Sequence, residues 1–271
     1  MVKRVLAGVP TQLSTYGFGP RKALLLHCSL AHGGVYTKLG AAVGGALTVT
    51  SFDQPGHGRA ADWQNDCDLQ DKVRDMALEL MTEPVDLIGH SFGGVISLRL
   101  AAERPEMVRT LTLIEPVMMA VAKADNPMAE DIITREMTGF HEAMERGDRE
   151  TAARVFTASY GDGRPWDSLS EQSRKAITDR IHMISAGQPA VQQDLHNLVG
   201  ANAFSKISAP TLIIDGGLGG PVMDSVCDGL ARRIPNSTRV CIPQGGHMVP
   251  LTRPNAVGRE ILQLVSQSPA L

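Results

Sequence analysis

The feature that most constrains this chain is a glycine-flanked turn between an apolar strand-like run and an apolar helix-like run. The strand-like run is Val85–Ile88, the turn is Gly89-His90-Ser91-Phe92-Gly93, and the helix-like run covers 94–100. Glycines are needed on both sides of so sharp a turn because side chains there would strike the neighbouring helix and strand. A serine at its tip is held clear of the sheet, as in a nucleophile elbow. The pattern therefore predicts an enzyme with Ser91 as its nucleophile.

Composition limits the classes of partner. The chain has 271 residues, of which 43% are hydrophobic, so it can bury one large core or a core with an inserted subdomain. Its formal net charge of -3 provides no basic surface for nucleic acid or an anionic membrane. We therefore expect a small-molecule substrate, with no nucleic-acid partner and no membrane partner.

Targeting segments and cysteine pairs are not indicated. The apolar stretch Val5–Val9 is interrupted by Gly8 and followed by Pro10, which makes it too short for a signal-peptide core. The longest uncharged stretch, Leu39–Phe52, is glycine-rich and shorter than the roughly 20 apolar residues that a membrane span requires. The scattered cysteines form no CxxC pair and no zinc pattern. We expect a cytoplasmic monomer or homodimer with no metal and no organic cofactor.

Hydrophobic periodicity predicts an α/β core with a helical insertion. Strand-like runs alternate with helix-like segments over the first half of the chain and again after Pro210, which is typical of a parallel sheet. From about Val117 to Ala203 the pattern changes to amphipathic helices. We interpret 117–203 as a helical cap subdomain, and 1–116 with 204–271 as the core domain. Within the cap we expect helices at 150–159, 171–185 and 189–199, with turns at 161–163 and 187–189.

A nucleophilic serine needs a histidine base, and that base needs a carboxylate to orient it. The candidate base is His247, because it follows Gly245-Gly246 in a loop between the last predicted strand and the last predicted helix. The other histidines are better explained by structural or solvated roles. His90 neighbours the nucleophile on the wrong side, His57 lies in a turn, and three others lie in the predicted cap: His141, His182 and His196.

Taken together, these motifs resemble the α/β-hydrolase fold family. The resemblance rests on the elbow, on Gly246-His247 further along the chain, and on the segment Phe52–Arg59, and it spans essentially the whole chain outside the cap. It implies a mostly parallel eight-stranded sheet flanked by helices, with two minor strands within Arg4–Tyr16.

The position of the acid departs from the usual family pattern. Most relatives place it in a G-x-x-D loop, but that frame is Gly216-Gly217-Leu218-Gly219 here. Some branches, certain haloalkane dehalogenases among them, place the acid after the strand that follows the nucleophile helix, and that position is Glu115. We therefore predict Glu115 as the acid, with Asp215 and Asp224 as alternatives. A dyad without an acid also stays open, because the acid orients the base and does not accept the proton.

The resemblance also implies an oxyanion hole made by the backbone N–H groups of Phe92 and Ser29. The usual His-Gly before it is replaced by His27-Cys28. Cys28 is expected to be an inert packed thiol, since it has no charged neighbour in sequence. The loop 216–221 matches no phosphate-binding motif and is expected to be a flexible connection at the rim of the site.

The function predicted from these residues is hydrolysis of a carboxylic ester or lactone of a small, partly hydrophobic substrate through an acyl-enzyme on Ser91. Open alternatives are cleavage of carbon–carbon or thioester bonds, peracid formation, or a non-catalytic binding protein. Haloalkane dehalogenase and epoxide hydrolase activities are disfavoured, since such relatives use an aspartate nucleophile. Apolar cap residues are expected either to line the site or to form core: Met118, Met119, Met137, Phe140 and Met144.

Overall fold

A single twisted sheet organises the molecule, for which the computed structural model describes residues 2–268. Within that range the strands are β1 (Val2–Leu6), β2 (Val9–Tyr16), β3 (Arg21–Leu26), β4 (Leu47–Phe52), β5 (Val85–His90), β6 (Val108–Ile114), β7 (Thr211–Asp215) and β8 (Ser237–Cys241). Their order in the sheet is β1-β2-β4-β3-β5-β6-β7-β8. The β1–β2 and β2–β4 pairs are antiparallel and the others are parallel. The predicted mostly parallel eight-stranded sheet is confirmed.

Helices cover both faces of this sheet. They are α1 (Thr37–Val43), α2 (Leu69–Leu80), α3 (Phe92–Glu103), α4 (Met119–Asp125), α5 (Ala129–Glu145), α6 (Arg149–Tyr160), α7 (Glu171–Arg180), α8 (His182–Gln192), α9 (Gly220–Arg233), α10 (Val249–Thr252) and α11 (Pro254–Gln267). Alternate residues of β3 enter different apolar clusters, because successive side chains of a strand point to opposite faces. Leu24 and Leu26 pack with α2 and α3, whereas Ala23 and Leu25 pack with α1 and α11. None of the helices in residues 2–268 has both the length and the apolar character of a membrane span.

Helices α4 to α8 lie between β6 and β7 in the chain, where the sequence predicts amphipathic helices. The apolar residues of α5 recur at helical spacing, and Ile133, Met137 and Phe140 are buried. Whether this segment is a separate cap subdomain stays a prediction.

Three predictions in this segment are wrong. The helix expected at 171–185 is divided, because α7 ends at Arg180 and α8 begins at His182. The turn expected at 187–189 lies inside α8, and the helix expected at 189–199 is absent as such, because α8 ends at Gln192. Burial of Ile184, Gly187 and Ala190 along one face sustains α8 past Pro189. After α8, the Asp194 carboxylate accepts the N–H groups of three residues, so the backbone there turns instead of forming a helix: Leu198, Val199 and Gly200.

Candidate active site

Ser91 occupies a strained turn between β5 and α3. Its φ is +55° and its ψ is -117°, a conformation that L-residues adopt only when their surroundings enforce it. Its N–H donates to the carbonyl oxygen of Ile114 at 2.9 Å. A Cβ on Gly89 would lie 2.4 Å from Oγ of Ser97, and one on Gly93 would lie 2.1 Å from the carbonyl oxygen of Leu26. Gly89 is therefore required for β5 and α3 to pack this closely, and Gly93 is required for α3 to approach the end of β3.

The imidazole of His247 connects Ser91 to a carboxylate. Nε2 of His247 lies 2.9 Å from Oγ of Ser91, and Nδ1 lies 3.2 Å from Oε2 of Glu115. A carboxylate oxygen accepts, so Nδ1 carries the proton and donates to Glu115. Nε2 is then the acceptor, and the Ser91 hydroxyl donates to it. All three side chains are buried.

Glu115 lies beside the elbow because its strand is the neighbour of the elbow strand. His90 of β5 pairs with Ile114 of β6, so the residues that follow them end side by side at the carboxyl edge of the sheet. Glu115 also has a positive φ, +48°, and its N–H donates to the carbonyl oxygen of Ile214 at 2.8 Å. Its Oε1 accepts the N–H of Gly216 at 2.6 Å. The carboxylate is thus fixed at both oxygens.

The two alternative acids, Asp215 and Asp224, form hydrogen bonds with Arg239. Oδ2 of Asp215 accepts from Nε of Arg239 at 2.8 Å, and Asp224 also accepts from that guanidinium. Asp228 completes the group, and its carboxylate lies 2.6 Å from Arg239. The hydrogen bonds of these carboxylates raise the pKa of Arg239. Of the three candidate acids, Glu115 is the one hydrogen-bonded to His247.

The glycine-rich loop after β7 packs against the loop that carries His247 and is not merely a rim connection. A Cβ on Gly216 would lie 2.3 Å from the carbonyl oxygen of Gly246, so the backbones of the two loops touch. A Cβ on Gly219 would lie 3.5 Å from Oε2 of Glu115. The closer contacts of a Cβ on Gly219 would be with the side chain of Met223, at 2.6 Å, so glycine at 216 and 219 lets this loop pack closely on the His247 loop and on α9.

Ser29 and Phe92 line the same cavity as Ser91 and His247. Within residues 2–268, neither of their N–H groups has a protein acceptor. That of Phe92 is the first N–H of α3, a position where a helix leaves donors unpaired. Both N–H groups are therefore unpaired in residues that line the cavity.

Cys28, just before Ser29, is a packed thiol. Burial raises its pKa to about 11, so the reactive thiolate is disfavoured. The loop is held from one side by His27, whose Nε2 accepts the N–H of Gln54 at 2.9 Å. The amide of Gln54 donates in return to the carbonyl oxygen of His27 at 2.7 Å.

The cavity beside Ser91 is small and largely apolar. Its volume is about 80 Å³, and it is lined by side chains from α4, α5, α6 and α8. Met119 and Met137 are among them, whereas Phe140 is fully buried in core packing and Met118 is also buried. A group of a few carbon atoms fits such a space.

Tyr160 stands between this cavity and a larger one. The second cavity, of about 660 Å³, is lined by Glu115 and shares Tyr160, Met119 and His247 with the first. The Tyr160 ring meets the His247 ring edge to face, with centroids 5.1 Å apart. Burial, with the nearby Glu136 and Glu115, raises the pKa of Tyr160 to about 12. The sequence contains no signal that distinguishes Tyr160 from an ordinary aromatic at the end of a helix.

One group of side chains elsewhere has the ligand types of a metal site. Oxygen and nitrogen atoms of Asp68, Asp71 and His196 lie within 4.8 Å of one another. Asp68, however, caps α2 by accepting the N–H groups of Gln70 and Asp71. Asp71 also pairs with Arg99 at 2.7 Å. These carboxylates are accounted for by the packing of α2.

Comparison with known proteins places the chain in a family. The family described as "Alpha/beta hydrolase family" matches residues 23–260. A pimeloyl-(acyl-carrier protein) methyl ester esterase from Nitrosomonas europaea is 26% identical over 87% of this chain and 91% of its own. An (E)-2-((N-methylformamido)methylene)succinate hydrolase from Acinetobacter baylyi is 28% identical over 82% of this chain and 81% of its own.

A solved structure shows the same fold. The alpha/beta hydrolase from Sphaerobacter thermophilus superimposes with a TM-score of 0.72 at 22% identity, over 97% of this chain and 99% of that one. The family match covers most of the chain, and the sheet order, the elbow and the histidine loop agree with it. The chain is therefore a hydrolase that belongs to the alpha/beta hydrolase family.

Proposed function

We propose that the protein is a serine hydrolase that cleaves a carboxylic ester or lactone through an acyl-enzyme on Ser91. The observation that carries this proposal is the continuous contact from Oγ of Ser91 to Nε2 of His247, at 2.9 Å, and from Nδ1 of His247 to Glu115, at 3.2 Å. A serine hydroxyl needs a base at this distance to become a nucleophile. The position of Glu115 supports a full triad over a dyad.

In the first half-reaction, Oγ of Ser91 adds to the carbonyl carbon while its proton passes to Nε2 of His247. Glu115 then faces the positive imidazolium that it is placed to stabilise. When the tetrahedral intermediate collapses, the proton on Nε2 goes to the leaving oxygen and the alcohol departs. Water then attacks the acyl-enzyme: it loses a proton to Nε2 of His247 and adds to the carbonyl carbon. When this second intermediate collapses, the bond to Oγ of Ser91 breaks, the proton on Nε2 returns to Oγ, and the acid is released.

The carbonyl oxygen is proposed to bind the N–H groups of Ser29 and Phe92. Both residues line the cavity, and their N–H groups lack protein acceptors within residues 2–268. Loss of a single donor in such a hole costs about 3–4 kcal/mol of transition-state stabilisation in comparable enzymes. The dipole of α3 adds a favourable potential, since its N-terminus carries a partial positive charge.

The substrate is proposed to carry a small apolar group on one side of the scissile carbonyl. The apolar lining and the volume of about 80 Å³ of the cavity at Ser91 support this choice. The similarity to a methyl ester esterase supports an ester over a thioester or a carbon–carbon bond.

The proposal is tested with a panel of p-nitrophenyl esters of increasing acyl length, with lactones beside them. We expect acetate to butyrate to be hydrolysed best, and longer acyl chains more slowly. Fluorophosphonate labelling of the native protein and of Ser91→Ala separates an enzyme from a binding protein. Absence of labelling that depends on Ser91 would support a non-catalytic role.

A further inference from the structure

His90, the residue before Ser91, is fully buried and contacts two other parts of the site. Its Nδ1 lies 2.7 Å from the hydroxyl oxygen of Tyr36, and its Nε2 lies 2.9 Å from the carbonyl oxygen of His247. The Tyr36 hydroxyl, also fully buried, lies 3.2 Å from the backbone nitrogen of Cys28. These contacts have no part in the proton transfers proposed above.

The direction of each hydrogen bond follows from the chemistry of the groups. The carbonyl oxygen of His247 only accepts, so Nε2 of His90 carries a proton and donates. In a neutral imidazole Nδ1 is then an acceptor, so the Tyr36 hydroxyl donates to it. The Tyr36 oxygen in turn accepts the N–H of Cys28. The contacts therefore form one ordered chain, from the Cys28 N–H through Tyr36 and His90 to the His247 carbonyl.

This direction requires that His90 stay neutral and Tyr36 stay protonated. Burial, with the nearby His247, lowers the pKa of His90 to about 3. Burial also raises the pKa of Tyr36 well above its ordinary value. Both groups therefore keep the required protonation state over the working range of a hydrolase.

This chain of hydrogen bonds joins the three loops that the proposed reaction needs. Cys28 adjoins Ser29, whose N–H is one of the two proposed oxyanion donors. His90 adjoins Ser91 in the elbow. The His247 carbonyl belongs to the residue that supplies the base. A displacement of any of these loops changes the distance between nucleophile, base and oxyanion donors, and such distances are decisive for rate.

We propose that Tyr36 and His90 are positioning residues that hold the Cys28–Ser29 loop and the His247 loop at the correct distance from Ser91. This inference rests on the proposed serine-hydrolase function. It predicts that breaking the ordered chain weakens binding of the transition state and leaves binding of the ground state unchanged.

Tyr36→Phe removes the central hydroxyl and leaves the ring in place. Tyr16→Phe is the matched control, because the Tyr16 hydroxyl donates to the carbonyl oxygen of Gly33 at 2.6 Å and is not part of the chain. His90→Gln is the second variant, since it keeps an amide donor toward His247 but loses the ring acceptor for Tyr36. Thermal unfolding of all three variants reports how far each is destabilised.

The decisive measurement compares the affinities of two inhibitors that carry the same acyl group as the best ester of the panel. The carbonyl carbon of a trifluoromethyl ketone is attacked by Oγ of Ser91, and the resulting oxyanion binds the two N–H donors, so the affinity of the ketone reports transition-state binding. The affinity of the product carboxylic acid reports ground-state binding. For Tyr36→Phe and His90→Gln we expect kcat/KM and ketone affinity to fall together by at least about tenfold, with KM and acid affinity within about twofold of the native values. Tyr16→Phe should keep all four values.

The positioning role is overturned if folded Tyr36→Phe or His90→Gln keeps native kcat/KM and ketone affinity, or if Tyr16→Phe loses them equally. If Tyr36→Phe does not fold, His90→Gln alone decides between these outcomes. Failure of the proposed function would look different, because the native protein itself would then show no Ser91-dependent reaction with a fluorophosphonate.

Discussion

The two carboxylate oxygens of Glu115 bind different partners. Oε2 accepts from His247, and Oε1 accepts the N–H of Gly216 at 2.6 Å. The second bond prevents rotation of the carboxylate, so the first can fix the ring orientation and the tautomer of His247. A residue held at a positive φ costs of order 1–3 kcal/mol, and both Ser91 and Glu115 are held so. We interpret this strain as part of the geometry that brings the three side chains together.

We predict that Glu115→Gln lowers kcat by about 10³–10⁴-fold with little change in fold. Glutamine keeps an oxygen for Gly216 but presents an amide N–H to Nδ1 of His247, which favours the tautomer that cannot accept the Ser91 proton. Steady-state kinetics with the best p-nitrophenyl ester measures the effect.

Asp215→Asn is the control for that substitution. It makes the same chemical change in a carboxylate bound to Arg239, so kcat should stay within a few-fold of the native value while stability falls. A larger loss of kcat in Asp215→Asn than in Glu115→Gln would assign the orienting acid to the loop after β7.

At the residue scale, a functional side chain can be predicted from the sequence when the residues that position it are its neighbours along the chain. Ser91 is predictable because the turn that presents it is made by its immediate neighbours. Tyr36 and His90 are not, because their contact joins residues 54 positions apart and depends on how α1 packs. The role of Gly216 was missed for the same reason, since its N–H meets Glu115 only after two strands pair.

At the element scale, the C-terminal end of α6 separates the two cavities. Tyr160 stacks on Phe156 of the same helix, with ring centroids 4.9 Å apart, and contacts His247 with its ring edge. The helix thereby holds an aromatic side chain beside His247. We expect that removing the Tyr160 ring opens the space of about 80 Å³ toward the one of about 660 Å³.

We predict that Tyr160→Ala shifts the preferred acyl length of the ester panel upward by several carbon atoms. The ratio of kcat/KM for p-nitrophenyl octanoate to that for butyrate should rise at least about tenfold, because the added methylenes gain space that the Tyr160 ring fills in the native protein. Tyr160→Phe keeps the ring and should keep the native ratio. An unchanged ratio in Tyr160→Ala would show that Tyr160 does not limit the acyl group.

Sequence periodicity predicts elements well where one face of a helix is buried, as in α5 and α11. It fails across α7 and α8, because proline and glycine normally indicate turns. Gly187 is instead a packing residue: a Cβ there would lie 3.1 Å from the ring of Phe92. That contact joins α8 to the elbow, and it cannot be predicted from the sequence around Gly187 alone.

At the scale of the whole molecule, buried neutral histidines make the fold sensitive to acid. Burial lowers the pKa of His57 to about 4 and that of His90 to about 3, and it also lowers the pKa of His27. The unfolded chain binds protons at these residues near pH 6.5, whereas the folded chain does not. Stability is therefore complete above pH 6.5 and falls as the pH drops toward the folded pKa values.

We predict that the free energy of unfolding in urea is lower at pH 5.5 than at pH 7.5, by about 1 kcal/mol for each of these histidines. His57→Gln removes one titrating group, so the loss between the two pH values should shrink by about 1 kcal/mol. Equal or greater stability at pH 5.5 would contradict this account.

The central claim, an acyl-enzyme on Ser91, is tested most directly by mass spectrometry after rapid acid quenching. A p-nitrophenyl carbamate is suitable because the carbamoyl-enzyme loses its acyl group slowly. We predict a mass increase of one carbamoyl group on the peptide that carries Ser91, with one equivalent of p-nitrophenol released and neither event in Ser91→Ala. Ester turnover in Ser91→Ala at the native rate, or an adduct on another residue, would contradict the claim.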